Sequence, residues 1–454
     1  MIRHGECDSV GWVQRSGTQQ LVIFLLSVSV ALASCSGYRS TVTPRIAITE
    51  EYTDNVALSS VNPESALIST VSPGITYGLT GQNATLNLSY DPSFAYYSQN
   101  EETLATRHLV ALNARDQLTR YSVVDISGSF TRTDDPTPTS APVFIRTGVP
   151  IPAPDTTIRT TREPYTTNDA STRFRHNFGA RDFFYFDYRY SMLNNDDPTL
   201  EDNTRHEPSL GLTYWLTPEY GVETTARYTK GNFSSQSAST PASDPLNMYY
   251  LSSRWIRRFG NDLDVFVQSV GTDVDYEGQT PDYRVYEATA GVDYHLSQST
   301  FVALSGGYFY QSIDQGEPAS GYVLRGDMAK QFSRGSVRLT GGTGYDQAIF
   351  GAENLGFTKF YAAGLAARYD LLRHLSAEAM ADYRINQYPD DAGREDTITT
   401  LSAGLNYLLN PWLRLGLRLA HNKVDSTVST DSYDENRISF SITMVPPRPY
   451  LLEW

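Results

Sequence analysis

Apolar and polar side chains alternate one by one along most of this chain, and few folds accept that rhythm for so long. A period of two sends successive side chains to opposite faces of a strand, so each face meets its own environment. Tyr286, Ala288, Ala290, Val292, Tyr294 and Leu296 fall on one face, and Glu287, Thr289, Gly291, Asp293 and His295 fall on the other. The pattern returns at 361–370, 401–407, 413–419 and 437–444. A helix would scramble these faces, so an all-β chain is expected.

Short turns punctuate the strands near Gly81, Gln117, Ala180, Pro218, Gly260, Gln298, Arg334, Arg373 and Asn410. Their spacing of about 36 to 42 residues suits two strands with one short and one long connection. The single longer step runs from Gln117 to Ala180. Polar, acidic segments at 194–203, 234–244 and 424–431 lie between the turns. Short connections at one end and long ones at the other are the layout of a transmembrane antiparallel up-and-down β-barrel. Two strands per turn, with one more at each end, give about 20 in a range of roughly 16 to 22, and single-chain bacterial barrels use even numbers. The segments 45–54 and 168–177 alternate poorly and are the weakest strands in that count.

A soluble sandwich, propeller or β-helix would also alternate, yet three features favour the membrane. The units exceed the ~8–12-residue spacing of sandwich strands. Charges stand in mid-strand on the polar faces, where a wet lumen tolerates them. Tyr and Trp recur where apolar faces begin or end (Trp215, Trp255, Tyr369, Tyr407, Trp412), as interfacial girdles do.

Composition narrows the classes further. Charged residues make up 19% of the chain, below the roughly 25% of an ordinary soluble domain. A net charge of −15 excludes a nucleic-acid binder built on clustered Lys and Arg. One apolar run, 21–33, approaches a spanning helix but is too short, and Arg3 and Arg15 precede it. Residues 1–33 therefore read as an export signal. Ala31-Leu32-Ala33 is a small-x-small cleavage site, while Leu32-Ala33-Ser34-Cys35 resembles a lipobox that would leave Cys35 lipidated, and both alternatives stay open. Cys7 leaves with the signal, which removes any disulfide framework. The expected organisation is a short periplasmic segment at 34–43, an outer-membrane barrel at 44–445 and a C-terminal periplasmic tail at 446–454.

Residues 134–164 form the longest connection, with seven prolines around the apolar island Val143-Phe144-Ile145. Proline removes ladder donors, so this segment is no wall strand. It is either a surface loop or an ordered loop folded into the lumen to set its width.

Catalytic chemistry is missing from the sequence. Six histidines follow the signal (His108, His176, His206, His295, His374, His421), none at zinc-site spacing from another. No phosphate-binding Gly-rich loop ending in Gly-Lys-Ser/Thr and no nucleophile elbow occurs. No enzyme, cofactor or metal is expected. The nearest approach to a functional constellation is the set of charges that alternation turns inward. These are Asp187, Arg189, Glu223, Arg227, Glu287, Asp293, Arg338, Arg368, Asp370, Glu378, Asp382, Arg384, Arg414, Arg418 and Arg437. They either steer polar solutes through a wet pore or pair across neighbouring strands and stiffen the wall.

The opening strands carry Tyr52-Thr53-Asp54-Asn55-Val56 and Val71-Ser72-Pro73-Gly74-Ile75 within Ile46–Tyr90. These pieces resemble the start of a β-barrel porin family whose members accompany exopolysaccharide gene clusters and exosortase (PEP-CTERM) systems. The resemblance implies an outer-membrane barrel serving polysaccharide secretion, and it transfers no functional residue. Expected partners are outer-membrane lipids, the barrel-assembly machinery, and polysaccharide or its export proteins. The leading expectation is a porin-like barrel for passive passage of solutes or polysaccharide. The rivals are a plugged structural or assembly barrel that binds through its loops and, behind it, an outer-membrane hydrolase.

Overall fold

The computed structural model describes residues 38–98, 104–136, 159, 161–235, 242–389 and 393–452. The signal, Cys35 and most of the proline-rich connection lie outside the described residues. The wall begins with β1 (Arg39–Thr53), β2 (Ala66–Thr80), β3 (Ala84–Tyr97), β4 (Leu104–Asp116) and β5 (Ser122–Thr133). It continues with β6 (Tyr165–Asn177), β7 (Phe183–Asn195), β8 (Glu201–Trp215), β9 (Tyr220–Ser235) and β10 (Leu246–Phe259). Next come β11 (Leu263–Tyr276), β12 (Tyr283–Ser297), β13 (Thr300–Ile313), β14 (Ala319–Phe332) and β15 (Gly335–Ala348). Last are β16 (Gly356–Leu372), β17 (Leu375–Tyr388), β18 (Arg394–Asn410), β19 (Leu413–Ser426) and β20 (Tyr433–Met444).

Each strand pairs antiparallel with its sequence neighbour, and β1 also pairs with β20, from Ile46 opposite Met444 to Thr53 opposite Arg437. That seam closes a twenty-stranded up-and-down barrel, as the even count from the turns predicts. All nine short connections fall at the expected turns. Between β10 and β11, Gly260 has φ +65°, a left-handed conformation that residues with a Cβ resist.

The strands run longer than the sequence suggests at their loop ends. Half of 194–203 is strand, because β7 reaches Asn195 and β8 starts at Glu201. Likewise β19 extends to Ser426. These ends project past the apolar belt, so both faces are polar and the alternation fades while the backbone ladder continues. The poorly alternating 45–54 and 168–177 are strands for the same reason: their neighbours supply the pairing.

Both termini add to the wall. β1 starts at Arg39, ahead of the expected boundary at 44, and its foot pairs with β2 from Arg39 opposite Thr80. After Met444 the Pro446-Pro447 pair interrupts the ladder. The chain then returns as β21 (Tyr450–Leu452), which pairs with Ser40–Val42 of β1. The segment expected to trail away thus rejoins the sheet edge.

Outward faces carry the exposed apolar side chains. Trp255, Tyr369, Tyr407 and Trp412 lie among them, as a girdle requires. Trp215 does not. It faces inward at the turn end, where the Arg258 guanidinium lies 4.4 Å and that of Arg181 5.3 Å from its ring. A cation over an aromatic face gives an inward Trp a polar partner.

Candidate functional site

Residues directly opposite on paired strands share a face, so the register assigns the interior strand by strand. Arg368 stands opposite Glu378, Gly364 opposite Asp382 and Ala362 opposite Arg384. Followed around the barrel, the register places all fifteen charges on the inward face.

Most of them are ion-paired. Asp187 meets Arg173 at 2.6 Å, Arg338 meets Asp327 at 2.8 Å and Arg368 meets Glu378 at 3.4 Å, each across adjacent strands. Glu223 lies 3.6 Å from Arg254, and Arg227 lies 3.9 Å from Glu207. Others skip a strand. Arg325 holds Glu287 through two hydrogen bonds of 2.7 and 3.0 Å, over β13. Arg254 reaches Asp293 at 2.7 Å over β11, and Arg384 reaches Asp346 over β16. The partners Arg173, Arg254, Arg325, Asp327 and Asp346 were absent from the sequence-based set. For all but Arg173, which stands on the poorly alternating 168–177, parity along the strand was the signal that could have found them.

A smaller group behaves differently. Among the described residues Arg189, Asp370, Asp382, Arg414 and Arg418 have no ion-pair partner within 4 Å. Arg414 and Arg418 lie toward the turn end of β19, are exposed, and face uncharged residues on both neighbouring strands. Asp382 uses the space left by Gly364, where an added Cβ would lie 2.7 Å from its Oδ1.

The two ends of the lumen therefore differ. At the turn end, side chains such as Arg368 and Glu378 remain solvent-accessible and form an open vestibule. At the loop end, connecting segments fold inward and pack.

The largest such segment is the tip of the β15–β16 hairpin. The β14–β15 ladder stops at Leu324 opposite Thr343, and the β16–β17 ladder stops at Lys359 opposite Gln387. Beyond those points the hairpin leaves both neighbours and crosses to β8 and β9. There the Glu201 amide donates to Ala352 O at 2.9 Å, and Asn203 Nδ2 donates to Gly351 O at 3.0 Å. Phe350 stacks on Phe233 with centroids 5.7 Å apart. Ile349 and Phe357 are fully buried in an apolar cluster with inward Leu246, Val274, Val285, Phe309 and Val323. Glu353 at the tip meets Arg394 at 3.4 Å. Burial pushes the Glu353 carboxyl up, Arg394 opposes that shift, and Asp431 and Asp396 add to it.

The opposite side, along the β1–β20 seam, closes with charge. Arg437 bonds Glu435 at 2.8 Å and Asp135 at 3.2 Å, with Glu51 at 3.8 Å. Arg162 donates to Val56 O at 2.6 Å and lies 3.4 Å from Glu435. Tyr97 donates to Asp134 at 2.5 Å, and Arg107 pairs with the same carboxylate. Both roots of the proline-rich connection are thus tied into the mouth. Whether its middle narrows the lumen falls outside the described residues. Leu58, at φ +49°, tucks its side chain against inward Val424 and Tyr433.

The one Ser–His hydrogen bond among the described residues does not extend to a triad. Ser122 Oγ lies 2.8 Å from His176 Nδ1, but both sit on the outer face beside a turn, and no carboxylate bonds that histidine among the described residues. Among the described residues, no group of three or more His, Cys, Asp or Glu could hold a metal ion.

Comparison with known proteins agrees with this architecture. Residues 268–445, less than half of the chain, match the family described as "Putative beta-barrel porin 2". The match covers the second half of the wall, including the inward hairpin, rather than the opening strands whose motifs resemble such porins. No curated protein matches the chain. The ferric-catecholate import receptor Fiu from E. coli is 11% identical over 89% of this chain and 81% of its own, with a TM-score of 0.50. Pseudomonas aeruginosa OccK2 (OpdF) is 13% identical over 91% of this chain and 100% of its own, with a TM-score of 0.42. A mutant ferric enterobactin receptor from Pseudomonas aeruginosa, in complex with enterobactin, is 9% identical over 89% and 81%, with a TM-score of 0.48. The likeness to Fiu concerns the fold alone: a large antiparallel barrel.

Proposed function

We propose that this chain is a bacterial outer-membrane barrel that lets polar solutes or polysaccharide pass passively, as part of exopolysaccharide export. The observation that carries the reading is the contrast between faces. A closed wall exposes apolar side chains outward and lines its interior with paired charges around an open vestibule. Such a wall pairs each strand with both neighbours along its closed part, so it crosses lipid with its backbone groups satisfied there. In this reading both termini are periplasmic, the vestibule faces the periplasm, and the β15–β16 tip narrows the outer mouth. Arg414 and Arg418, free of carboxylates, present positive charge to whatever enters. The match to a porin family supports the barrel, and the resemblance of the opening motifs supports the export role. No covalent step is involved.

A second reading is favoured by the packed loop end: a plugged barrel that assembles or binds through its surface. Planar-bilayer recordings separate the two. Passage predicts measurable single-channel conductance that rises when residues 349–353 are replaced by a short Gly-Ser link. Silence from both the native and the shortened protein would leave the plugged barrel.

A further inference from the structure

We propose that the β15–β16 tip is a two-position gate, folded across the lumen in this structure and able to return to the wall by extending the ladders it abandons. Its gating role rests on the conducting reading above; its two positions do not. The wall keeps a place for it. β14 continues from Val323 to Ala319 bonded to β13 alone, so one edge of that stretch has no strand beside it. Continuing the existing register sets Gly344 against Val323, Tyr345 against Tyr322 and Ala348 against Ala319.

The tip also keeps part of the alternation of a wall strand, although Gln347 would face outward and Phe350 inward. In the continued register Tyr345 and Phe357 turn outward, and Asp346, Ala348 and Thr358 turn inward. Outward Tyr345 would join Tyr322, which already packs edge-on against Tyr308 at 5.7 Å. Tyr322 is 74% exposed, more than any other large apolar side chain of the described residues. A neighbour is missing beside it.

Each position gains what the other lacks. Folded in, the tip buries Ile349 and Phe357 against the apolar inner wall but leaves a strand edge unpaired. Back in the wall, it completes the ladder beside β14 and gives up the burial of Ile349 and Phe357. Two packings with opposed gains, in a segment tethered at both ends, make a bistable element.

Disulfide trapping tests this in the full chain with Cys7 and Cys35 replaced by Ser. Phe233→Cys with Phe350→Cys reports the folded-in position. Tyr322→Cys with Tyr345→Cys reports the wall position, since directly opposed strand residues lie within disulfide reach. Ser320→Cys with Gln347→Cys is the substitute should the tyrosine pair fail to assemble. After mild oxidation in proteoliposomes, both positions should cross-link, each in its own variant. The wall-locked protein should conduct at least about three-fold more than the folded-in one, with reductant erasing the difference. Complete 233–350 cross-linking with neither wall pair forming, in barrels of native heat-modifiable migration, would overturn the gate. Wall cross-linking without current from any variant would uphold the two positions and overturn the conducting reading instead.

Discussion

The loop end of the lumen is closed in two materials. Beneath β10–β16 it is apolar, with Ile349, Phe357 and Phe309 buried together. Along the β1–β20 seam it is ionic, with Arg437 holding Glu435, Asp135 and Glu51. Apolar burial is non-directional and local, so a tip held that way can detach without disturbing the wall. A buried charge cluster is directional and unforgiving, because each member left alone is stranded away from water. The seam, where chain ends meet and the register must be unique, uses the second kind. The hairpin, whose ladders already release it, uses chiefly the first, with the Glu353–Arg394 pair and the hydrogen bonds from Glu201 and Asn203 confined to its tip.

Arg437→Ala should strain that contrast hardest. It takes the nearest cation from the Glu435 carboxylate, itself 1% exposed, leaving Arg162 at 3.4 Å and the Thr53 hydroxyl at 2.9 Å, and a cost of about 3 kcal/mol follows. The heat-modifiable midpoint of the whole barrel in detergent should fall clearly, and an unchanged midpoint would show the seam to be dispensable. Ile349→Ala removes fully buried methyl groups at a cost of about 2–5 kcal/mol. Here the loss should be local. Hydrogen exchange should quicken across 344–358 while the global midpoint stays put, and equal effects of the two variants would erase the distinction. Arg368→Ala, in the open vestibule, breaks an exposed pair worth about 0–1 kcal/mol and should shift ion selectivity more than stability.

Glu353 gives the smallest effect. Its carboxyl titrates above its ordinary range in the folded-in tip, chiefly because it is buried. The folded-in state therefore holds the proton more tightly. Its stability is greatest below the ordinary carboxylate value and declines as pH rises through the raised one. Acidification should slow exchange at the tip, and Glu353→Gln should flatten that dependence.

Much of the architecture was legible because it is written locally. The nine turns, the two faces of β12, β16 and β18–β20, and the even strand number follow from alternation and turn residues, which act within a few positions. The outer loops were read too long, since the two ends of 194–203 have loop composition yet pair as strand once neighbours supply partners, while 196–200 make the connection. Inward charges were readable by parity, but Arg325 with Glu287 and Arg254 with Asp293 pair over an intervening strand. Trp215 had the residue type of a girdle and the parity of the interior.

What the sequence by itself determined is a chain of alternating strands with an aromatic, weakly charged outer stripe and a charge-bearing inner one. A strand's faces depend only on its own period. Tertiary structure alone decided which charges meet, where the mouth closes, and that the β15–β16 tip folds in. The roots of that tip alternate in part, with Tyr345 and Phe357 on one face and Asp346, Ala348 and Thr358 on the other, so its sequence permits a place in the sheet. Its inward course depends on contacts with β8 and β9, more than a hundred residues away in the chain.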